Sequence, residues 1–185
     1  RVRTQYGLRA DVPLFLQVSR FDRFKDPVGV IEAFRLARRH RELSLVLAGG
    51  GADDDPEGQA VLEEVRRAAG DDPDIRVLDL PPDAHRVINA LQRTADVVIQ
   101  KSLREGFGLV VTEALWKGKP VIGGAVGGIT LQVQDDFSGY LVRTVEGCAY
   151  AIRRCLRYPN RVQRMGANGV ELSDEPEPGS RDHGC

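Results

Sequence analysis

Short apolar runs alternate with helical patterns along most of the chain, and this alternation limits the possible folds more than any other feature. The runs lie at residues 14–18, 43–48, 75–78, 96–99 and 120–122, and the helical patterns between them at 27–40, 55–69, 84–94 and 109–116. Strands that are continuously apolar are typical of a parallel sheet covered on both faces. The sequence therefore predicts an α/β fold with a doubly wound, Rossmann-like parallel sheet.

One domain is predicted to fill residues 1–171. The chain has 185 residues, of which 42% are hydrophobic and 29% charged, as in ordinary globular proteins. A short sixth strand at 139–142 and helices at 146–157 and 161–167 complete the predicted domain. Apolar periodicity then ends in a run rich in Asp, Glu, Pro and Gly, so residues 172–185 are predicted to form a disordered tail. Because the chain begins with Arg1 instead of Met, we expect it to be a fragment of a longer protein.

The composition argues against several classes of partner. The 26 basic and 27 acidic side chains leave a formal charge of −1, so neither nucleic acid nor a membrane surface is a predicted partner. No run approaches the roughly 18 apolar residues of a membrane span, and no signal peptide is recognisable, so we expect a cytoplasmic protein. The spacing of Cys148, Cys155 and Cys185 is typical of neither a disulfide framework nor a zinc site, so the cysteines are expected to be inert packing residues.

Charged residues follow the first predicted strand, and ligands of parallel sheets bind at the carboxyl ends of the strands. Ser19, Arg20, Asp22 and Lys25 lie in this loop. Two cations so close together could hold a diphosphate, but they could equally be solvated charges with Asp22 as a turn residue.

A glycine run and three aspartates follow the second predicted strand. Gly49, Gly50 and Gly51 permit a tight turn, but they lack the spacing of a dinucleotide fingerprint. Asp53, Asp54 and Asp55 do not alternate as calcium ligands do, and Asp55 is placed to cap the next helix.

The most informative stretch follows the fourth strand. Gly106 and Gly108 leave the amides of a helix N-terminus accessible, and the helix dipole favours an anion there. Glu105 precedes this helix and Glu113 lies about a turn inside it, where ionised carboxylates can accept hydrogen bonds from sugar hydroxyls. The alternative makes Glu105 a partner of the helix dipole and Glu113 an ordinary surface residue. Another glycine-dense loop, residues 123–130, is expected to approach the same crevice.

These motifs together resemble those of the family 4 retaining glycosyltransferases, which have the two-domain GT-B fold. The segment E-G-F-G-L-x-x-x-E-A at residues 105–114 resembles the family signature. V-S-R-F-D-x-x-K at 18–25, G-K-P-V-I-G at 118–123 and G-G-I at 127–129 follow in the family's order. The resemblance covers about residues 12–167 and implies the C-terminal, nucleotide-sugar-binding half of a GT-B fold. The greatest similarity is to the glycosyltransferring trehalose synthases, and it lies in residues 54–58, 89–93, 104–108 and 113–118. Trehalose phosphorylases share much of this sequence.

The resemblance also implies a function and a set of site residues. Glucose would pass from a nucleotide donor, such as UDP-glucose or ADP-glucose, to an acceptor such as glucose, giving trehalose. Arg20 and Lys25 would neutralise the donor diphosphate, Glu105 would bind the transferred glucose, and these three form the implied catalytic set. Glu113 would hold the ribose, and residues 80–85 would border the base. The remaining implied donor-binding residues are Ser19, His85, Gly106, Phe107, Gly108 and Leu109.

The resemblance implies no metal or other cofactor, because cations and helix amides would stabilise the leaving diphosphate. The acceptor site belongs to an N-terminal domain outside this sequence, so the chain alone is expected to bind donor without turnover. A homodimer is a further expectation. The alternatives are a trehalose phosphorylase domain and a non-catalytic sugar-nucleotide-binding module. A receiver domain and a sugar-nucleotide epimerase explain the motifs less well.

Overall fold

A computed structural model, which describes residues 1–39, 41–50 and 55–174, contains one six-stranded parallel sheet with the strand order β3-β2-β1-β4-β5-β6. The strands are β1 Leu14–Val18, β2 Ser44–Gly50, β3 Ile75–Leu80, β4 Val97–Gln100, β5 Val121–Gly124 and β6 Gly139–Val142. Every strand pair is parallel. The order reverses between β1 and β4, and a crevice is expected at the carboxyl ends of strands at such a switch point. The predicted doubly wound sheet is confirmed.

Helices cover both faces of this sheet. They are α1 Val2–Gln5, α2 Pro27–Ala37, α3 Pro56–Ala69, α4 His85–Thr94, α5 Leu109–Trp116, α6 Ile129–Gln132, α7 Val145–Arg157 and α8 Pro159–Asp174. One apolar cluster packs α2, α3 and α7 against the face that carries Phe15 and Ile99. A second cluster packs α1 and α4 against the opposite face, which carries Leu16 and Val98. A third cluster packs α5 and α6 against the same face. The core therefore lies on both sides of the sheet.

Side-chain caps determine where three of the helices begin. Asp26, Asp55 and Thr144 each accept a hydrogen bond from an amide in the first turn of α2, α3 and α7, respectively. Pro56 occupies the first position of α3, as predicted, because this position needs no amide donor. The predicted capping role of Asp55 is thus confirmed, whereas Asp53 and Asp54 lie outside the described residues.

The prediction that the glycine run ends β2 after Ala48 is wrong. Gly49 and Gly50 continue the strand and pair with Asp79 and Leu80 of β3. A Cβ atom on Gly49 would clash with the carbonyl oxygen of Ser19, and one on Gly50 with that of Leu80. These two glycines are therefore needed for close contact between neighbouring backbone segments, while Gly51 lies outside the described residues.

Two features of the helices also differ from the predictions. The last helix, α8, extends to Asp174, so residues 172–174, which were assigned to the tail, are helical. Residues 175–185 lie outside the described part of the chain. The helices α1 and α6 were not predicted, because four residues are too few to show helical periodicity.

Two cysteines pack inside the domain as expected. Cys148 and Cys155 of α7 are buried and free, and burial raises the pKa of each thiol to about 12. Both therefore remain protonated and unreactive near neutral pH. Cys185 lies outside the described residues. In the part of the chain that the structure describes, no helix is both long and apolar enough to span a bilayer.

An arginine–aspartate pair ties the end of α2 to the turn before β3. Both terminal nitrogens of Arg38 donate to the two carboxylate oxygens of Asp72, at 2.7 and 2.8 Å. This guanidinium lowers the pKa of Asp72 from 3.8 to about 2. The pair therefore stabilises the fold wherever the carboxylate is ionised in the folded state.

Asp72→Asn is expected to lower the free energy of unfolding at neutral pH by about 1–2 kcal/mol, after allowance for solvent screening. Because the folded pKa lies below the unfolded one, the stabilisation is complete above pH 3.8 and is lost as the pH falls through about 2. Urea unfolding of both proteins across this range measures the difference. The exposed neighbour Asp71, changed to Asn, is the control. An equal loss at neutral and acidic pH would contradict the assignment.

Candidate functional site

Two loops meet at the switch point of the sheet, one after β1 (residues 19–26) and one after β4 (residues 101–108). The amide of Leu103 donates to the carbonyl of Phe24 at 2.7 Å. The guanidinium of Arg104 lies 5.0 Å from the centre of the Phe24 ring. These contacts place the two loops beside each other at the carboxyl ends of β1 and β4.

A largely buried ion pair joins the two loops, and we call it the Lys25–Glu105 pair. The ammonium of Lys25 donates to Oε2 of Glu105, and the side chains are only 19% and 12% exposed. The hydroxyl of Ser102 donates to the same Oε2 at 3.2 Å. Sequence reasoning selected both charged residues, and the structure brings them into direct contact.

A second ion pair lies beside it and was missed by the sequence reasoning. The ammonium of Lys101, which is buried, donates to Oδ2 of Asp26. Asp26 has a positive φ of 47° and also caps α2 through the amide of Gly29. The available signal was a lysine directly after a buried strand, a position where a charge requires a partner.

The N-terminus of α5 is partly exposed: Leu109 is exposed and Val110 is half-buried, whereas Gly108 and Val111 are buried. Its cap, Gly108, has no side chain, and among the described residues the amides of Leu109, Val110 and Val111 have no hydrogen-bond partner. Phe107 and Leu109 are exposed, and a Cβ atom on Gly106 would meet nothing within 4 Å. Free amides at the positive end of a helix can hold an anion.

The glycine loop after β5 contacts the loop after β4, as the sequence predicted. The amide of Gly128 donates to the carbonyl of Gly106 at 2.9 Å. Gly127 has a φ of 48°, and a Cβ atom there would clash with the carbonyl oxygen of Glu105. A Cβ atom on Gly128 would clash in the same way with the carbonyl oxygen of Gly106. Both positions therefore require glycine, and the two loops pack directly against each other, forming what we call the wall of the crevice.

Gln132 of α6 holds the start of α5 and was also missed. Its Oε1 accepts from the amide of Gly108 at 3.0 Å, and its Nε2 donates to the carbonyl of the same residue at 2.8 Å. It also donates to the hydroxyl of Thr112 at 2.9 Å. The sequence offered no signal for this contact, because α6 is too short to be recognised.

Glu113 lies one turn inside α5 and contacts α4. Its Oε2 accepts from Nε2 of the buried Gln92 at 2.8 Å, and the ammonium of Lys117 donates to Oε1 of Gln92. Burial lowers the pKa of Lys117, and the nearby Glu113 opposes this shift. Glu113 is therefore an exposed carboxylate held in place by a buried amide.

The remaining predicted residues lie apart from the Lys25–Glu105 pair. Arg20 is 78% exposed and lies 3.8 Å from Oδ2 of Asp22. Oδ1 of Asp22 accepts from the amide of Phe24, as in a turn. This arrangement matches the alternative of a solvated charge. The hydroxyl of Ser19 lies 3.4 Å from Nε2 of Gln17. His85 is exposed at the first position of α4. The structure does not bring Arg20 or His85 into contact with the pair.

Acidic, histidine and cysteine side chains do not gather at this crevice. Within residues 1–39, 41–50 and 55–174, no group of three or more of them could hold a metal ion. The arrangement instead offers a cation and a carboxylate in contact, helix amides a few residues further on that have no partner among the described residues, and a second carboxylate one turn further along the same helix. These groups suit a ligand that carries both phosphates and hydroxyls.

Comparison with known proteins gives one consistent family. Residues 1–171 match the family described as "Glycosyl transferases group 1". A trehalose synthase of Rubrobacter xylanophilus is 45% identical over 170 residues, which cover 91% of this chain and 41% of that protein. A trehalose phosphorylase of Pleurotus sajor-caju is 37% identical over 153 residues, which cover 74% of this chain and 20% of that protein. The chain thus spans less than half the length of the curated relatives that it matches.

Solved structures of glycosyltransferases share the fold. A sucrose-phosphate synthase from Thermosynechococcus elongatus superposes with a TM-score of 0.79 at 30% identity, over 93% of this chain and 43% of that one. The C-terminal domain of a group 1 glycosyl transferase from Francisella tularensis superposes with a TM-score of 0.74 at 24% identity, over 93% of this chain and 90% of that one. The six-stranded sheet is therefore the sheet of GT-B glycosyltransferases.

Proposed function

Because the chain belongs to the group 1 glycosyltransferases, we propose that it binds a nucleoside diphosphate–glucose donor and presents the glucose for transfer with retention. The Lys25–Glu105 pair, which lies just ahead of the N-terminus of α5, is the observation that carries this proposal. It combines a cation for a phosphate with a carboxylate for sugar hydroxyls. At Gly106 a Cβ atom would meet nothing within 4 Å, so the donor could approach the backbone of this residue.

The geometry suits stabilisation of a leaving diphosphate. When the bond from the anomeric carbon breaks, positive charge develops on the sugar and negative charge on the diphosphate. The ammonium of Lys25 and the amides at the start of α5 lie where they can stabilise the negative charge, and donors fixed in advance do so most effectively. Arg20 is exposed and, among the described residues, contacts only Asp22, at 3.8 Å, so its side chain could turn towards the phosphates. Glu105 accepts hydrogen bonds from the transferred glucose.

We propose that Glu113 binds the ribose of the donor. Gln92, on the neighbouring helix α4, orients the carboxylate of Glu113. Glu113→Gln is expected to weaken binding of the nucleoside diphosphate and of its glucose conjugate equally, by about five- to tenfold, because the ribose is common to both. Calorimetric titration of both ligands measures the two losses. Glu146→Gln, on the exposed start of α7, is the matched control. A loss restricted to the glucose conjugate would move Glu113 to the sugar instead.

The relatives support a proposal for the acceptor and the product. The higher identity and broader coverage of the trehalose synthase favour transfer to glucose, giving trehalose, over the phosphorylase reaction. Turnover then needs a second domain that supplies the acceptor site, because the chain spans 41% of this relative. We further propose that donor binding needs no metal, since Lys25 and the α5 amides supply the countercharge.

Calorimetric titration with UDP-, ADP- and GDP-glucose tests the donor proposal. At least one is expected to bind at a single site, more tightly than its nucleoside diphosphate alone and equally well in EDTA. Titration with glucose 1-phosphate tests the phosphorylase alternative. Binding of glucose 1-phosphate, with no binding of any nucleotide sugar, would favour that alternative. A folded chain that binds none of the three nucleotide sugars would contradict the proposal.

A further inference from the structure

Two buried glutamines occupy the carboxyl ends of the two central strands. Gln17 on β1 is 1% exposed, and Gln100 on β4 is 2% exposed. In each, among the described residues, the amide nitrogen has a hydrogen-bond partner and the buried oxygen has none. An unpartnered buried oxygen destabilises the folded state, so these residues are not explained by stability.

Gln17 holds the backbone of Lys25. Its Nε2 donates to the carbonyl oxygen of Lys25 at 3.0 Å. A carbonyl oxygen can only accept, so the nitrogen of the amide must face Lys25 and the oxygen must point away. The bond fixes the backbone from which the ammonium of Lys25 reaches Glu105.

Gln100 holds Glu105 through Ser102. The hydroxyl of Ser102 has one proton, which it donates to Oε2 of Glu105 at 3.2 Å. It must therefore accept from Nε2 of Gln100, at 3.5 Å. This second bond is long, so it constrains Glu105 less tightly than Gln17 constrains Lys25.

The two glutamines act from opposite faces of the sheet. Side chains alternate along a strand, so Gln17 shares a face with Phe15, which packs against α2. Gln100 shares the other face with Val98, which packs against α5. Each member of the Lys25–Glu105 pair is thus held by a different strand and from a different side.

We propose that Gln17 and Gln100 are positioning residues: Gln17 fixes Lys25 against the donor diphosphate, and Gln100, through Ser102, aims Glu105 at the transferred glucose. The inference rests on the proposed donor-binding function and divides its site into two halves. The diphosphate half, which Gln17 positions, contributes to binding of both the nucleoside diphosphate and its glucose conjugate. The sugar half, which Gln100 positions, contributes only to binding of the glucose conjugate.

Gln17→Met and Gln100→Met test this division, because methionine keeps the length of the side chain and removes the amide. Each variant is titrated by calorimetry with UDP and UDP-glucose, or with ADP and ADP-glucose if the unsubstituted chain binds that base. Gln17→Met is expected to weaken both ligands by about five- to tenfold. Gln100→Met is expected to leave the diphosphate unchanged and to weaken the glucose conjugate by about three- to fivefold, because its bond is longer.

Thermal unfolding separates positioning from stability. Val46→Ala, in the buried core of β2, is expected to lower Tm without changing either affinity. Both methionine variants are expected to change Tm less than Val46→Ala does, because each removes an unpartnered oxygen. Adding Gln100→Met to Ser102→Ala is expected to cause no further loss of affinity, since Gln100 reaches Glu105 only through the hydroxyl of Ser102.

Three results would overturn the inference. The first is unchanged affinity of both methionine variants for both ligands while the unsubstituted chain binds them. The second is a methionine variant that does not fold, because the proposal makes both amides dispensable for stability. The third is failure of the unsubstituted chain to bind either ligand. This result would also contradict the proposed function, whereas the first two results concern the glutamines alone.

Discussion

Replacing Lys25 with methionine is expected to weaken binding of the nucleoside diphosphate–glucose by about 100-fold. The variant loses the ammonium that we propose to face the diphosphate. It also leaves the carboxylate of Glu105, only 12% exposed, without its counter-ion and close to the incoming phosphates. Both effects act in the same direction, so this is the largest loss of affinity expected from a single substitution at the site.

Calorimetry with the preferred donor, together with urea unfolding, measures this loss. Lys119→Met is the matched control, because Lys119 is also partly buried but precedes β5, at the amino end of the strand. Arg20→Ala is expected to cost less than Lys25→Met, since Arg20 is largely exposed. Affinity within about twofold of the unsubstituted chain would remove Lys25 from the donor site.

Gly127→Ala is expected to destabilise the fold by about 3 kcal/mol or more. The backbone at Gly127 is left-handed, with φ 48°, and the added Cβ would overlap the carbonyl oxygen of Glu105. The loop after β5 must then move away from the loop after β4. Donor binding is expected to be lost with it, because that contact forms the wall of the crevice.

Gly106→Ala is the matched control for this substitution. It lies in the same wall, its φ is not left-handed, and a Cβ atom there would meet nothing within 4 Å. Its free energy of unfolding is expected to change by less than about 1 kcal/mol. Urea unfolding compares the two alanine variants, and equal stability of both would show that the two loops are not in contact in solution.

The sequence predicted those elements of the fold that arise from local patterns. The bounds of α5 and β6 agree with the predictions because each is a clear apolar segment ended by glycine or a turn. Gly49 and Gly50 were misread because their role is set by backbone approaching from other parts of the chain. The short helices α1 and α6 carried too few residues for a periodic signal.

The candidate site was predictable as a set of residues and not as a set of contacts. The motifs identified Lys25 and Glu105, but their ion pair joins positions 80 residues apart. Gln17 was read as part of an apolar strand and Gln100 fell one residue beyond the predicted fourth strand, although a polar residue at the end of such a run was a usable signal. The donor-binding roles of Arg20, Ser19 and His85 stay predictions, because the contacts in this structure neither require nor exclude them.

The central claim is that the donor diphosphate lies at the N-terminus of α5 beside the Lys25–Glu105 pair. Amide chemical shifts of the isotopically labelled chain, followed by NMR during titration with the preferred donor, test it most directly. The account predicts the largest shifts at residues 105–111, at Lys25 and at residues 127–128. Saturable binding with shifts confined to another surface, such as the cavity lined by Tyr140, Tyr150 and Arg154, would contradict it.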